Sequence, residues 1–225
     1  MRVGVVSSSH GQTFAQLCRG VEHLGVSFTV ITDRPCGIED VARARDIPCR
    51  RIAGDSGEFS RRAAQELSAR SVDFVLLYFN RLVGPELYEL LPTFNIHPSL
   101  LPAFPGFGAL DGAIERDVRF VGATLHLATE RADSGPIVAQ ICAPVWPPCS
   151  KTDLAELSFV QRVYLSLLTV ELAAENALDV APASGTARYV MRRPHTDRCN
   201  PAIQDETMLA LVQELEAARA MKVNG

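Results

Sequence analysis

The chain has 225 residues, of which 47% are apolar and 21% are charged, and its formal net charge is −4. These values are typical of a soluble globular protein with one ordinary domain. The small negative charge argues against the broad basic surface that nucleic-acid binding needs, and apolar runs of strand length predict no membrane span.

Short apolar runs alternate with longer amphipathic runs along the chain, as strand–helix units over a parallel sheet do. The predicted fold is therefore α/β, a doubly wound, mostly parallel, twisted sheet of Rossmann-like type with a C-terminal helix. In chain order the expected strands are 2–6, 26–32, 49–52, 72–78, 93–97, 120–129 and 137–145, and the expected helices are 13–24, 38–45, 59–70, 154–177 and 207–221.

Two parts of the chain differ in pattern. Residues 1–180 are expected to form the main α/β domain, and residues 181–225 a C-terminal extension packed on the same domain. The extension contains an expected linker at 181–186, an edge strand at 188–191 and an amphipathic helix. Leu209, Val212 and Leu215 form one apolar stripe on that helix.

The six cysteines are scattered, without C-x-x-C spacing or neighbouring histidines. Neither a zinc site nor a disulfide framework is expected from this pattern. The first residues lack a charged segment followed by an apolar signal core. We therefore expect a cytoplasmic protein with reduced thiols and no metal.

A polar pair lies at the end of the fifth predicted strand. Asn95 and His97 are two residues apart, so both side chains lie on one face of the strand. Pro98 follows and ends the regular pairing, since it has no N–H to donate. Ligands of open parallel sheets bind beyond the carboxyl ends of the strands, which makes this pair a candidate active site.

A second polar segment extends from Gly122 to Gln140. Thr124 and His126 alternate with apolar residues on a predicted strand, and Asp133 stands in a loop that ends in a Gly-Pro turn. Asp is also common at the start of turns, so local chemistry alone leaves its role open.

Together the two segments resemble the formyltransferase family, which includes glycinamide ribonucleotide transformylase and the catalytic domain of methionyl-tRNA formyltransferase. The resemblance extends from Val72 to Pro144, with weaker likeness back to Met1. It identifies residues 1–180 as a catalytic domain. It implies transfer of a formyl group from the co-substrate 10-formyltetrahydrofolate to a small-molecule amine, without a metal.

The resemblance also implies a catalytic set of Asn95, His97 and Asp133. An amide can donate to the formyl oxygen, an imidazole can hold or relay a proton near neutral pH, and a carboxylate can orient that imidazole. Thr124 and His126 are expected to support the set.

The folate side of the site follows from the resemblance alone. A pterin ring needs backbone donors and acceptors beside an apolar wall. The residues that match the family's two folate-binding segments are Phe79, Asn80, Arg81, Leu82 and Val83, and then Thr129, Glu130 and Ala132.

The acceptor side departs from the family pattern in three places. Gln12-Thr13 replaces a Ser-Asn pair in the loop after the first strand, Phe107 follows Gly106 where a His-rich stretch is expected, and Val160 stands in place of a substrate-contacting Glu. These departures favour an amine other than glycinamide ribonucleotide. The residues expected to bind the acceptor are Ser9, His10, Gly11, Gln12, Thr13, Gly106 and Phe107.

The identity of the acceptor stays open among a phosphorylated amine, an amino sugar nucleotide and an amino acid derivative. The segment 188–194 resembles a Tyr…Arg-Arg segment of sugar nucleotide and methionyl-tRNA formyltransferases, and it also fits a basic edge strand. A homodimer through the C-terminal helix is left open.

Three alternatives compete with formyl transfer. A formyltetrahydrofolate hydrolase shares the core but is expected to carry an additional N-terminal domain, whereas this sequence starts at the first strand. A folate-binding protein without catalysis is disfavoured by the intact Asn-His-Asp set. A dinucleotide-dependent dehydrogenase is disfavoured because the turn at 7–12 lacks G-x-G-x-x-G spacing.

Overall fold

The computed structural model describes residues 1–146, 150–181, 186–189 and 193–223. The strands are β1 (Arg2–Ser7), β2 (Ser27–Thr32), β3 (Cys49–Arg51), β4 (Phe74–Tyr78), β5 (Thr93–His97), β6 (Phe120–Leu127), β7 (Ile137–Pro144), β8 (Leu178–Ala181), β9 (Thr186–Tyr189) and β10 (Cys199–Asn200). The α-helices are α1 (Gln12–Gly20), α2 (Ile38–Arg43), α3 (Ser56–Ala69), α4 (Pro85–Tyr88), α5 (Ala109–Glu115), α6 (Lys151–Ala174) and α7 (Glu206–Val223).

Eight strands form one sheet in the order β10-β7-β6-β5-β4-β1-β2-β3. The five strands from β3 to β5 pair in parallel, whereas β6, β7 and β10 are each antiparallel to the preceding neighbour. The predicted doubly wound, mostly parallel α/β fold is confirmed. The antiparallel strands extend the sheet on the β5 side.

Helices cover both faces of the parallel part of the sheet. Val5 packs on one face with α1, α6 and α7, and Val6 packs on the other face with α3 and α4. Burial on both sides explains why β1 and β4 are continuous apolar runs in the sequence. We call these two sides of the sheet the α6 face and the α3 face.

Helix ends depart from the predicted bounds where capping decides them. Ser150 and Asp153 form a capping box, so α6 begins at Lys151 and not at 154. Asp55 caps α3 by accepting the N–H of Glu58 at 2.9 Å, so that helix also starts early. The helix predicted at 13–24 ends at Gly20 and is followed by a 3-10 turn.

The C-terminal extension differs from its prediction. β9 pairs with β8 in a separate two-stranded sheet, and β10 forms the edge of the main sheet. The strand predicted at 188–191 is therefore not an edge strand of the main sheet. Residues 182–185 of the predicted linker and 190–192 of the predicted basic segment lie outside the described residues.

Buried contacts attach the extension to the α6 face. Met208, Leu211 and Val212 of α7 lie in the same apolar core as α6, and Leu209 and Leu215 pack against it. Nearby, Arg193 donates to Glu171 of α6 at 3.1 Å, and the two side chains are only 2% and 5% exposed.

Among the described residues, α6 has the length and apolar composition of a membrane span. Helix length alone therefore does not support the expectation, drawn from the short apolar runs, that the chain contains no membrane span. Of the apolar stretch of α6, 78% is buried inside the protein, as in the core helix of a soluble protein.

Candidate active site

A cavity of about 480 Å³ lies at the carboxyl ends of β1, β4 and β5. Parallel strands end together at this edge of the sheet, where ligands of such folds bind. The predicted catalytic residues Asn95, His97 and Asp133 all line this cavity.

Four polar side chains share one face of the paired strands β5 and β6. The register places His97 opposite Thr124 and Asn95 opposite His126. Because side chains alternate along a strand, their apolar neighbours pack on the α6 face and these four face the other side. The antiparallel pairing of β6 with β5 thus brings these four polar side chains together as one cluster.

Asp133 joins the cluster from the loop between β6 and β7. Its oxygen Oδ1 lies 3.3 Å from Asn95 Nδ2 and 3.5 Å from His126 Nε2. Its oxygen Oδ2 lies 3.3 Å from His97 Nδ1 and accepts the N–H of Gly106 at 2.7 Å. Asp133 has φ of 52°, in the left-handed region that Asp and Asn tolerate better than most residues.

The hydrogen-bond partners of His97 and His126 indicate which ring nitrogens carry a proton. Nε2 of His97 lies 2.7 Å from the carbonyl oxygen of Phe104, which can only accept, so this nitrogen carries a proton. Nδ1 of His126 lies 2.9 Å from the carbonyl oxygen of Leu127 and carries a proton for the same reason. Nε2 of His126 lies 3.1 Å from the Asn95 amide nitrogen and 3.5 Å from Asp133 Oδ1, so it accepts from Asn95 when unprotonated and donates to Asp133 when protonated.

The surroundings lower the pKa of Asp133 to about 2. The facing His126 contributes most. Partial burial opposes it, and the Gly106 N–H and the positive character of His97 add to the lowering. Asp133 is therefore an anion at neutral pH.

Thr124, expected to support the catalytic set, does not line the cavity. Its buried hydroxyl accepts from the N–H of Leu101 at 3.0 Å and donates to the carbonyl of Ser99 at 2.7 Å. Gln140 donates both to this hydroxyl and to the Leu101 carbonyl. These bonds hold the loop after β5, and with it the Phe104 carbonyl that binds His97.

One end of the cavity belongs to the α3 face. Phe79 stacks on Phe59 of α3 with ring centroids 5.0 Å apart, and Val83 packs against the same core. Arg81 is not a free surface charge, because it donates to Asp33 at 3.1 Å and to the Gly54 carbonyl at 3.2 Å. Of the predicted folate-binding residues, those that line the cavity are Phe79, Asn80, Arg81, Leu82, Val83, Thr129 and Ala132, whereas Glu130 does not.

The other end belongs to the loop after β1 and to the α6 face. Of the residues expected to bind the acceptor, Ser9, His10, Gln12 and Thr13 line this end, but Gly11 does not line the cavity. Gly11 has φ of +84° and lies against the backbone of Ile38.

Two amides of this loop are already used within it. The N–H of Ser9 donates to Ser7 Oγ at 3.0 Å, and the N–H of Gly11 donates to Ser9 Oγ at 3.3 Å. The loop therefore keeps its shape through its own serine hydroxyls.

Gly106 and Phe107, two of the residues expected to bind the acceptor, line the rim of the cavity. Phe107 is 81% exposed and stands between Gly106 and Gly108, which both have φ near +80°. An exposed aromatic ring at a cavity mouth is a ready apolar contact for a ligand.

The sequence interpretation missed two residues of α6. Val160, the expected position of a substrate contact, is buried in the core and does not line the cavity. Phe159 and Arg162, one helical turn apart, line it instead. The available signal was the isolation of Arg162, the one charged residue between Glu156 and Glu171.

Comparison with known proteins gives a consistent result. The formyl transferase family profile matches residues 1–161. Phosphoribosylglycinamide formyltransferase of Mycobacterium tuberculosis is 30% identical over 163 residues, which are 68% of this chain and 75% of that protein. Formyltetrahydrofolate deformylase of Mycobacterium bovis is 37% identical over 112 residues, 48% of this chain and 36% of that protein.

Solved structures agree with the sequence matches. Glycinamide ribonucleotide transformylase 1 from Symbiobacterium toebii superposes with a TM-score of 0.75 at 30% identity, covering 80% of this chain and 90% of that one.

Proposed function

The chain belongs to the formyl transferase family, and from that premise we propose that it transfers a formyl group from 10-formyltetrahydrofolate to the amine of a small-molecule acceptor. The observation that carries the proposal is the convergence of Asn95, His97 and Asp133 in one cavity, with polar atoms 3.3 Å apart. An amide, an imidazole and an ionised carboxylate are the groups that direct formyl transfer needs.

In the proposed reaction the acceptor nitrogen attacks the formyl carbon directly. The carbonyl oxygen becomes an oxyanion, which Asn95 and protonated His97 stabilise. The bond from carbon to the folate nitrogen then breaks. Asp133, acting through a water molecule, moves the proton lost by the amine to the folate nitrogen. No covalent enzyme intermediate and no metal take part.

Asn95 must release one of its present hydrogen bonds before it can take part in this reaction. Its two amide hydrogens already face His126 at 3.1 Å and Asp133 at 3.3 Å. Donation to the formyl oxygen requires one of these bonds to be given up, and the longer one to Asp133 is the weaker. His126 then keeps the amide oriented, which is the supporting role proposed for it.

The donor is proposed to bind at the α3-face end of the cavity. Backbone groups of Phe79–Val83 and the loop that carries Thr129 and Ala132 would hold the pterin between them. The Phe79 ring, which stacks on the buried Phe59 ring behind it, supplies the apolar wall. Because the Asp33 and Gly54 contacts already engage Arg81, its role there is to hold this segment in place.

The acceptor is proposed to bind at the opposite end, beside the loop after β1 and beside Gly106 and Phe107. The internal hydrogen bonds of that loop and the exposed Phe107 ring support an acceptor other than glycinamide ribonucleotide. We also propose that the protein is cytoplasmic, that it forms a homodimer, and that its catalytic domain ends at residue 180.

Deformylation is the second candidate, favoured by the 37% identity to a formyltetrahydrofolate deformylase. In that reaction water takes the place of the amine, and formate is released. The same three residues would serve it.

One assay separates the candidates. The wild-type chain is incubated with 10-formyltetrahydrofolate, with and without a panel of small amines, and both formate and formylated amine are measured. Amine-dependent loss of the donor supports transfer, and formate release without amine supports deformylation. His97→Ala should abolish either activity, and donor turnover that is unchanged in this variant contradicts the proposed site.

A further inference from the structure

Arg162 is a partly buried cation in the cavity wall without an anionic partner. Its Nε donates to the carbonyl of Ser158 at 3.3 Å, one turn earlier in α6. No carboxylate among the described side chains forms an ion pair with it, in contrast to Arg81 and Arg193. Burying an uncompensated charge is costly, so such a group usually has an anionic partner.

The cavity itself supplies no such partner. Asp133 is the one acidic residue among the described residues that line it. Its two oxygens already face Asn95, His97, His126 and the Gly106 N–H. The remaining guanidinium donors of Arg162 are therefore available to something that enters the cavity.

The position of Arg162 assigns it to the acceptor end. Tyr78 and Phe159, which line the cavity with it, pack against the core of the α6 face, whereas Phe79 and Val83 pack against the core of the α3 face. Tyr78 also donates to Ser166, one turn beyond Arg162 on the same helix. Arg162 thus lies across the sheet from the proposed donor end.

From these contacts we infer that the acceptor carries an anionic group, a carboxylate or a phosphate, which accepts hydrogen bonds from the guanidinium of Arg162. This inference rests on the function proposed above and assigns the binding of the acceptor's anionic group to Arg162. A planar guanidinium matches an oxyanion in two-point geometry. In the free protein, burial lowers the pKa of Arg162, which shows that its charge is poorly solvated there.

Alternative anions are weighed by geometry. The glutamate carboxylates of a folate donor lie on the side of N10 away from the pterin, at the flexible end of the molecule. Arg131, an exposed cation that lines the cavity, can meet them at its mouth. Arg162 is then left for the second substrate.

The test uses matched pairs of amines that differ in the anionic group. Glycine with glycinamide probes a carboxylate, and phosphoethanolamine with ethanolamine, or glucosamine 6-phosphate with glucosamine, probes a phosphate. Each is titrated by calorimetry into the full chain saturated with tetrahydrofolate, so that binding is read without any transfer step.

The expected result is that wild type binds the anionic member of at least one pair about tenfold or more tightly than the neutral member, as a charge-assisted hydrogen bond implies. Arg162→Gln should remove that preference, while the affinity for tetrahydrofolate stays unchanged. Arg162→Lys keeps the charge but loses the two-point geometry of the guanidinium, and it should keep part of the preference for the anionic amine. Arg61→Gln, an exposed arginine of α3 away from the cavity, is the matched control and should behave as wild type.

Equal binding of both members of every pair by wild type would overturn the inference. So would a preference that survives in Arg162→Gln, or a variant that loses tetrahydrofolate binding instead. If Arg162→Gln does not fold, the test uses Arg162→Lys. A preference for the anionic amine that is identical in Arg162→Lys and wild type would also overturn the inference. Failure of the proposed function is a separate result, namely anion-dependent binding without any formyl transfer.

Discussion

Nδ1 of His97 lies 3.3 Å from Oδ2 of Asp133, although one residue ends a strand and the other belongs to a distant loop. The other ring nitrogen of His97 already donates to the Phe104 carbonyl. The imidazole is therefore bordered by acceptors on both nitrogens, an arrangement that a doubly protonated ring satisfies completely. Both N–H groups of such a ring are engaged, so contact with the oxyanion of the proposed reaction requires the Nδ1–H to leave Asp133.

The first prediction concerns the charge of this pair. Asp133→Asn keeps the size and the left-handed backbone but removes the anion, and we expect kcat/KM for the formyl donor to fall by about 10²- to 10⁴-fold. The matched control is Asp117→Asn, an exposed aspartate with a similar φ of 45°. Equal losses in the two variants, measured by steady-state kinetics, would speak against a role of the carboxylate in the reaction.

The second prediction concerns acid stability. The pKa of Asp133 falls from 3.8 to about 2 on folding. A carboxylate with a lowered pKa stabilises the folded state above its unfolded pKa, and this contribution disappears as the pH falls from about 4 to about 2. We expect Asp133→Asn to flatten the decline of unfolding free energy in this window by on the order of 1 kcal/mol, allowing for solvent around a half-buried group.

The same shift bears on the pH–rate profile. Asp133 stays ionised above pH 4, so an acidic limb of kcat/KM at higher pH must come from another group. Chemical denaturation at several pH values and a pH–rate profile measure the two effects. Equal pH dependence of stability in wild type and Asp133→Asn would show that the carboxylate is not stabilised by its neighbours.

The third prediction concerns the hydroxyl of Thr124. Thr124→Val leaves the N–H of Leu101 and the carbonyl of Ser99 without their buried partner. We expect the free energy of unfolding to fall by about 2–4 kcal/mol, with a loss of activity as the Phe104 carbonyl moves from His97.

Thr169→Val is the control for this substitution. That threonine is equally buried, but its hydroxyl donates only to the Leu165 carbonyl within α6. Its loss should cost under about 1 kcal/mol, because no buried group is left unpaired. Similar costs for the two valines, measured by denaturant unfolding, would argue against the loop network.

The fourth prediction concerns Gly11. A Cβ at this position would lie 2.7 Å from Cα of Ile38, and φ is +84°. Gly11→Ala should therefore lower the unfolding free energy by about 2–4 kcal/mol, from backbone strain and from displacement of α2. Gly25→Ala, at φ of +60° with nothing within 4 Å, isolates the strain alone and should cost about 1 kcal/mol. Thermal and denaturant unfolding distinguish a clash from strain.

The fifth prediction concerns the buried pair of the C-terminal extension. Glu171 accepts from Arg193 and from the N–H groups of Gln204 and Asp205. Glu171→Gln leaves Arg193 with Glu175, at 2.8 Å, as its remaining carboxylate partner, and we expect a loss of about 2 kcal/mol in unfolding free energy. Glu214→Gln, which pairs with Arg19 at the surface and is 57% exposed, should cost under about 1 kcal/mol. A negligible effect of Glu171→Gln would indicate an extension that stabilises the core little.

Much of the fold followed from apolar periodicity. β5 has the predicted bounds, and β1, β2 and β3 differ by one residue, because burial on both faces makes strands continuous apolar runs. The β8–β9 pair was missed, since residues up to 177 continue the apolar pattern of α6. That helix in fact ends at Ala174, and Asn176 takes a φ of 52° shortly after it.

Part of the candidate site could likewise be predicted from the sequence, and part could not. The cluster of Asn95, His97 and Asp133 was predictable, because strand period and loop chemistry are local and the family resemblance joined them. Arg162 was not, because the face of α6 that meets the cavity depends on how the helix packs against α1 and the sheet. Periodicity alone could not distinguish its face from that of Val160, which is in the core.

The two ends of the cavity pack on different cores, one on α3 behind the loops after β4 and β6, the other on α1 and α6. A hydrogen bond of 2.7 Å between the side chains of Ser8 and Asn80 joins the two walls, and substitutions away from that pair act on one wall at a time. Evolution can therefore exchange one ligand of such a protein while retaining the other, and a single helix can carry the change of specificity.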